Sequence, residues 1–192
     1  MKYQSNVQIG AENYGLNLPL DFSFCKIKTS REILRFSPRI NNPLYLKVPK
    51  NKEHKWLTKI LKLNNNELED LNDLPEVLKT FFPTDNWLTW LDLSCNQLTQ
   101  VHPELTEMKK LKILYLHGNK IASIRELLKL ETLQNLTKLT AHGNPAELEP
   151  GYFSILLAAL PNLVKLDFTG ISINERLAAA RFRASLMTLK AN

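Results

Sequence analysis

Hydrophobic residues recur along the middle of the chain in a fixed frame that ends in an asparagine. Leucine occupies the first, fourth and sixth positions of the frame, and asparagine the ninth, in the stretches that begin at Leu88 and Leu111. Stretches beginning at Thr58, Leu136 and Leu163 keep the register with substitutions, and the last one lacks the asparagine. Because alternate residues of a strand point to opposite faces, each frame predicts one short strand with a buried leucine side. The frame asparagines are Asn66, Asn96, Asn119 and Asn144.

This frame is the leucine-rich repeat pattern, in which every unit supplies one short parallel strand and a return segment. We therefore expect an α/β solenoid with a short parallel sheet on its concave face, helical or 3₁₀ return segments and a C-terminal cap. The asparagine side chain carries both donors and an acceptor, so the four asparagines should form a structural ladder that satisfies backbone groups at the bends. Apolar spacing in the first unit predicts a longer helix ahead of Pro83.

Two histidines share one position of the frame, because the triplet His-Gly-Asn occurs at His117 and again at His142. They should lie on adjacent strands about 4.8 Å apart, so a metal site or a catalytic pair is geometrically possible. The other members of this column supply no Cys, Asp or Glu ligand: Asn64, Ser94 and Thr169. Two neutral ligands make a weak site. The repeated triplet is therefore read as structural, with Gly118 and Gly143 helping the chain to turn, and we expect no metal and no cofactor.

The remaining residues do not indicate a catalytic site. Asp92 and Asp167 share a column of the predicted sheet, but about 14 Å separates them, too far for a pair of catalytic carboxylates. No glycine-rich strand-to-helix loop with a downstream acidic residue is present. We predict no catalytic residues and expect that the protein is not an enzyme.

The concave face is where we expect a protein partner to bind. Trp90, Ile113 and Tyr115 should be neighbours there, and exposed Trp and Tyr side by side are typical of an interface hot spot. The alternative is that the N-terminal arm folds across these side chains and covers them. The predicted contact residues are Ile60, Lys62, Trp90, Asp92, Ile113, Tyr115, His117, Lys138 and His142.

Charge divides the chain into three parts. Residues 1–56 contain ten Lys and Arg and four Asp and Glu. Residues 57–170 contain eleven basic and fourteen acidic residues, and residues 171–192 contain four basic residues and one acidic residue. This predicts a basic non-repeat arm (1–55), a repeat domain (56–170) with its cap at about 144–170, and a basic C-terminal helix (171–192). Basic ends suit an acidic partner surface, although solvated termini are an equal alternative. Two cysteines and no long apolar run favour a reduced cytoplasmic location without a membrane span.

Six stretches resemble the small intracellular class of leucine-rich repeat proteins: PLDFSF (19–24), LKLNNNELEDL (61–71), WLDLSCNQLTQV (90–101), LKILYLHGNKI (111–121), LTAHGNPAELEPGY (139–152) and LDFTGISINER (166–176). The resemblance implies a non-enzymatic adaptor in a cytoskeletal assembly, expected in the axoneme of cilia or flagella. Tubulin or axonemal proteins would be the partners of the basic arms. Members that regulate a phosphatase or belong to a nucleoprotein particle leave both roles as alternatives. Direct nucleic-acid binding is not expected, because the acidic repeat domain lacks a basic aromatic platform.

Overall fold

The repeats form one continuous sheet that follows chain order. A computed structural model of the protein describes residues 18–39, 48–84 and 87–191. The first six strands are parallel, and the seventh is antiparallel to the sixth. This architecture confirms the predicted α/β leucine-rich repeat solenoid. The strands are β1 (Leu20–Asp21), β2 (Ile60–Lys62), β3 (Trp90–Asp92), β4 (Ile113–Tyr115), β5 (Lys138–Thr140), β6 (Lys165–Leu166) and β7 (Thr169–Gly170).

One leucine from each parallel strand points into the core, and these leucines stand in register from strand to strand. Each is buried, and full burial of such a side chain contributes about 1.5–3 kcal/mol. Because a strand slip of one residue would turn this row outward, the leucines fix the register of the sheet. The row consists of Leu20, Leu61, Leu91, Leu114, Leu139 and Leu166.

The asparagines form a hydrogen-bonded ladder that joins each unit to the one before it. The Oδ1 atom of Asn96 accepts from the backbone N–H of Leu68 at 3.0 Å. Its Nδ2 donates to the carbonyls of Leu63 and Leu93, both at 3.0 Å. Asn119 and the fourth frame asparagine make the same set of bonds in the following units. Polar backbone groups at the bends are thus paired although they are buried.

Short helices return the chain between strands. Helix α1 (Leu74–Phe81) buries Leu74, Val77 and Leu78, the one-turn spacing of an amphipathic helix, and ends two residues before Pro83. Among the described helices, none is long and apolar enough to cross a membrane. The helices are α1 (Leu74–Phe81), α2 (Pro103–Thr106), α3 (Ile124–Leu128), α4 (Tyr152–Ala159) and α5 (Ile173–Ala191), with 3₁₀ turns at Ser30–Arg35, Lys129–Thr132 and Pro145–Leu148.

The sheet begins within residues 1–55, the stretch that the charge pattern predicts to be a non-repeat arm. Strand β1 pairs with β2, and Phe22 stacks on Phe81 with ring centroids 5.6 Å apart. The outer edge of β1 is paired as well, because the Arg39 amide donates to the Asp21 carbonyl and its guanidinium to the Ser23 carbonyl. The stretch 19–24 therefore covers the N-terminal end of the core, as a solenoid requires.

The chain leaves the repeat path directly after β6. Asp167 and Phe168 both have left-handed backbone conformations, with φ of 49° and 65°, and Thr169 then pairs antiparallel with Leu166. Two expectations from the frame are wrong for this reason. Phe168 does not occupy the core position of a fifth unit but is 58% exposed, and Thr169 does not continue the histidine column.

Candidate protein-binding surface

The side chains that flank the buried leucines form the outer surface of the sheet, called here the sheet face. Strand pairing places Ile60, Trp90, Ile113, Lys138 and Lys165 opposite one another in one row. A second row holds Lys62, Asp92, Tyr115 and Thr140. Because the strands are in register, the exposed side chains of these two rows share one surface, whereas Asp92 and Thr140 are buried.

Aromatic rings gather at the middle of the sheet face. Trp90 and Tyr115 meet edge to face with centroids 5.8 Å apart, and Phe168 lies 5.6 Å from Tyr115. Phe168 also contacts both histidine rings, at 5.7 Å from His117 and 5.8 Å from His142. These five residues are called the aromatic cluster. Edge-to-face pairs of this kind hold each other in place, so the cluster presents a preorganised apolar surface.

A carboxylate beneath the cluster holds Phe168 in its unusual position. One oxygen of Asp167 accepts the backbone N–H groups of Ala141 at 2.6 Å and His142 at 3.0 Å. Its other oxygen accepts the Tyr152 hydroxyl at 2.9 Å. In the earlier units, the N–H that corresponds to that of Ala141 donates to a backbone carbonyl of the next strand. The Leu116 N–H, for example, donates to the Thr140 carbonyl. Asp167 replaces that carbonyl and so ends the parallel part of the sheet.

Tyr152 ties this turn to the C-terminal cap. Burial, together with the charge of Asp167 and the hydrogen bond to it, raises the pKa of the Tyr152 hydroxyl far above its ordinary value. The hydroxyl therefore stays protonated and donates to the carboxylate. The leucine frame does not mark Tyr152 or Phe168 as part of the site. The available signal was Ile171 in the place of the frame asparagine, which marks a unit that cannot close in the usual way.

The two histidines stack on each other and do not converge on a metal position. Their rings are 4.8 Å apart and nearly parallel, at 5°. Each Nδ1 has a partner: Thr140 Oγ1 lies 2.7 Å from that of His117, and Asp167 Oδ1 lies 3.2 Å from that of His142. Lone pairs lie in the ring planes, so parallel rings cannot both reach one ion at the usual distance of about 2 Å. The pair is part of the aromatic cluster.

Electrostatics favours the neutral form of His117. Burial lowers the pKa of its imidazole, the neighbouring His142 lowers it further, and Asp92 and Asp167 act in the opposite direction. A neutral imidazole stacks on the adjacent ring without repulsion, which suits an aromatic contact surface. In the part of the chain that the structure describes, no group of three or more Cys, His, Asp or Glu side chains is placed to hold a metal ion.

One predicted contact residue turns inward. Asp92 is only 8% exposed, and its Oδ1 accepts the backbone N–H and the hydroxyl of Ser94. This local turn outweighs the strand alternation that predicts an outward side chain, because an Asp side chain readily pairs with the backbone two residues on. The other eight predicted contact residues are partly exposed.

Comparison with known proteins agrees with this architecture. The leucine-rich repeat family model matches residues 58–188. Leucine-rich repeat-containing protein 51 of Macaca mulatta is 41% identical over 162 residues, which cover 84% of this chain and 82% of that protein. The human protein of the same name is 40% identical over the same shares.

Solved structures show the same fold. The crystal structure of the Drosophila melanogaster SNF/U2A′ complex contains a chain that matches 100% of this chain with a TM-score of 0.60 and 22% identity, and 93% of that chain is covered. At this identity the likeness concerns the fold alone. The family model and the close relatives show that the chain belongs to the leucine-rich repeat family, in the group of leucine-rich repeat-containing protein 51.

Proposed function

We propose that the protein is a non-enzymatic adaptor in a larger cytoskeletal assembly, in the axoneme of cilia or flagella, and that it binds a protein partner through the aromatic cluster. Leucine-rich repeat families generally serve protein–protein interaction, and the cluster supplies the site for it. The axonemal location rests on the resemblance described above and on the two basic ends of the chain.

The observation that carries the binding role is the exposed position of Phe168. A phenylalanine with 58% of its surface in water and φ of 65° loses hydrophobic stabilisation and adopts a backbone conformation that bulky side chains rarely take. Backbone strain of this kind costs on the order of 1–3 kcal/mol and is typically found at functional sites. The carboxylate of Asp167, which accepts from the Ala141 amide and from the Tyr152 hydroxyl, anchors the turn that carries Phe168. A partner that covers Phe168 would recover the lost burial.

A location experiment tests the proposal. Tagged wild-type protein and the Trp90→Ala variant are cross-linked in ciliated cells, and cilia and cell bodies are then isolated separately. We expect enrichment in cilia and one specific neighbour that disappears in the variant. Leu148→Ala is the control, because it removes an apolar side chain that is 87% exposed but lies in a 3₁₀ turn outside the sheet.

The outcomes separate the possible roles. Recovery of the protein only from cell bodies would contradict the axonemal location. Neighbours that persist in Trp90→Ala would contradict the choice of surface. Co-purified phosphatase activity would indicate a regulatory subunit, and co-purified ribonucleoprotein would indicate an adaptor in a nucleoprotein particle.

A further inference from the structure

Three lysines of the sheet face lie in the same strands as the aromatic cluster or in the next one, and none of them forms an ion pair with a described residue. Lys62 lies on the N-terminal side, with its Nζ 5.9 Å from the centroid of the Trp90 ring. Lys138 and Lys165 lie on the C-terminal side, directly opposite each other on β5 and β6. These three lysines are called the lysine rim.

The paired position of Lys138 and Lys165 is unfavourable in the free protein. Adjacent strands are about 4.8 Å apart, and like charges directly opposite each other on neighbouring strands destabilise a sheet. The leucine frame fixes the register, so the two strands cannot shift to separate these charges. A negative group bound between the two ammonium groups would relieve the repulsion.

The acidic residues of the same surface are not available to do this. Asp92 is buried and its Oδ1 accepts two hydrogen bonds from Ser94. Asp167 accepts from two backbone amides, with Tyr152 on its second oxygen and His142 Nδ1 close to its first. Both carboxylates point into the molecule. The charge that the sheet face offers to a partner is therefore carried by the lysine rim.

We propose that the partner is an acidic protein segment with an aromatic or aliphatic anchor residue. This inference rests on the proposed binding role of the aromatic cluster and specifies its ligand. The anchor would cover Phe168 and the edge of the Trp90–Tyr115 pair, and flanking Asp or Glu side chains would pair with the lysine rim. Such an arrangement of an apolar centre with a charged rim is typical of protein–protein interfaces.

A nucleic acid would also meet lysines and aromatic rings, but the surroundings favour a protein. Residues 57–170 carry fourteen Asp and Glu against eleven Lys and Arg, so the domain that bears the sheet face lacks the extended basic surface that a nucleic acid backbone needs. The two face rows contain no arginine, the side chain best suited to phosphate forks. A short acidic segment needs only the local lysines.

The test uses a displayed library of random short peptides selected on the immobilised full-length protein. Peptides that bind wild type and fail to bind Trp90→Ala define the ligands of the sheet face. We expect these peptides to be enriched in Asp and Glu around one aromatic or aliphatic residue. An enriched peptide is then synthesised, and its affinity is measured by fluorescence anisotropy at low and high salt.

A charge-reversal variant tests the lysine rim. Lys138→Glu with Lys165→Glu should weaken the peptide by roughly tenfold or more at low salt, and the difference should shrink at high salt. Lys120→Glu is the matched control, since Lys120 is exposed but follows the asparagine bend and lies off the sheet face. It should leave the affinity nearly unchanged. Thermal unfolding of each variant checks that the fold is intact.

Several results would overturn this assignment. Neutral or basic peptides that depend on Trp90 would show that the surface is a binding site but that its acidic specificity is wrong. Peptides that bind Trp90→Ala as well as wild type, or the absence of any enriched peptide, would count against both the specificity and the surface. Tighter binding of a polyuridine RNA, lost in Trp90→Ala, would replace the protein ligand with a nucleic acid.

Discussion

Replacing Asn119 with alanine should destabilise the fold by several kilocalories per mole. The side chain is 6% exposed and makes three bonds: it accepts from the Leu98 amide at 3.1 Å and donates to the carbonyls of Leu93 at 3.0 Å and Leu116 at 2.8 Å. The two carbonyls keep a second donor, from Asn96 and from the next frame asparagine. The substitution therefore leaves one backbone group, the Leu98 N–H, without a partner.

The magnitude follows from these contacts. A buried unpaired N–H costs about 1–3 kcal/mol, and each of the two lost carbonyl bonds contributes about 0.5–1.5 kcal/mol, so the free energy of unfolding should fall by about 2–6 kcal/mol. That is a large part of the roughly 5–15 kcal/mol that stabilises an ordinary protein. Urea denaturation followed by circular dichroism measures the change.

Asn135→Ala is the matched control for this prediction. Asn135 is exposed, and its amide makes a single bond, to the Lys109 carbonyl at 2.8 Å. Its loss should lower the free energy of unfolding by at most about 1 kcal/mol. Equal effects of the two substitutions would refute the reasoning, because they would show that burial and shared bonding of the ladder contribute nothing beyond an exposed hydrogen bond.

Three further predictions concern the C-terminal half. Tyr152→Phe removes the hydroxyl that donates to Asp167 and should lower the free energy of unfolding by about 1–3 kcal/mol in urea denaturation, and a change near zero would contradict the role of this bond. Arg176→Met, which removes a guanidinium that donates to the carbonyls of Leu157, Leu160 and Leu163 at the end of α4, should lower the melting temperature, and unchanged melting would contradict the capping role. The pKa of His117 is lowered in the folded protein, so the unfolded chain takes up the proton first and stability should decline as pH falls through about 6.5. His117→Gln should reduce that decline, and pH profiles of unfolding that coincide with wild type would contradict it.

Most of the solenoid can be predicted from the leucine frame, because a repeat limits what each residue can neighbour. The position of Leu91 between Leu61 and Leu114 follows from the frame alone, as does the adjacency of the two histidines. The asparagine bonds also follow from amide chemistry at a fixed bend.

The two ends of the solenoid cannot be predicted from the frame, because individual contacts determine their conformation. At the N-terminus, Cys25 stands where a frame asparagine would be, and Asn66 accepts the Cys25 amide at 2.8 Å in addition to the usual ladder bond from the Ile27 amide at 3.2 Å. At the C-terminus, Leu166 and Phe168 have the spacing of a further unit. The carboxylate of Asp167 caps the last complete strand, however, and this turns Phe168 to the surface. Sequence spacing alone cannot show which arrangement has the lower free energy.

The most direct test of the central claim is site-specific photo-crosslinking in ciliated cells. A photoreactive phenylalanine replaces Tyr115 in the aromatic cluster and, in a second variant, Lys109, an exposed residue of the return segment between α2 and β4. We predict one discrete protein adduct from position 115, lost when Trp90→Ala is added, and no such adduct from position 109. Adducts from position 109 alone, or adducts at 115 that persist without Trp90, would contradict the claim that the sheet face binds the partner.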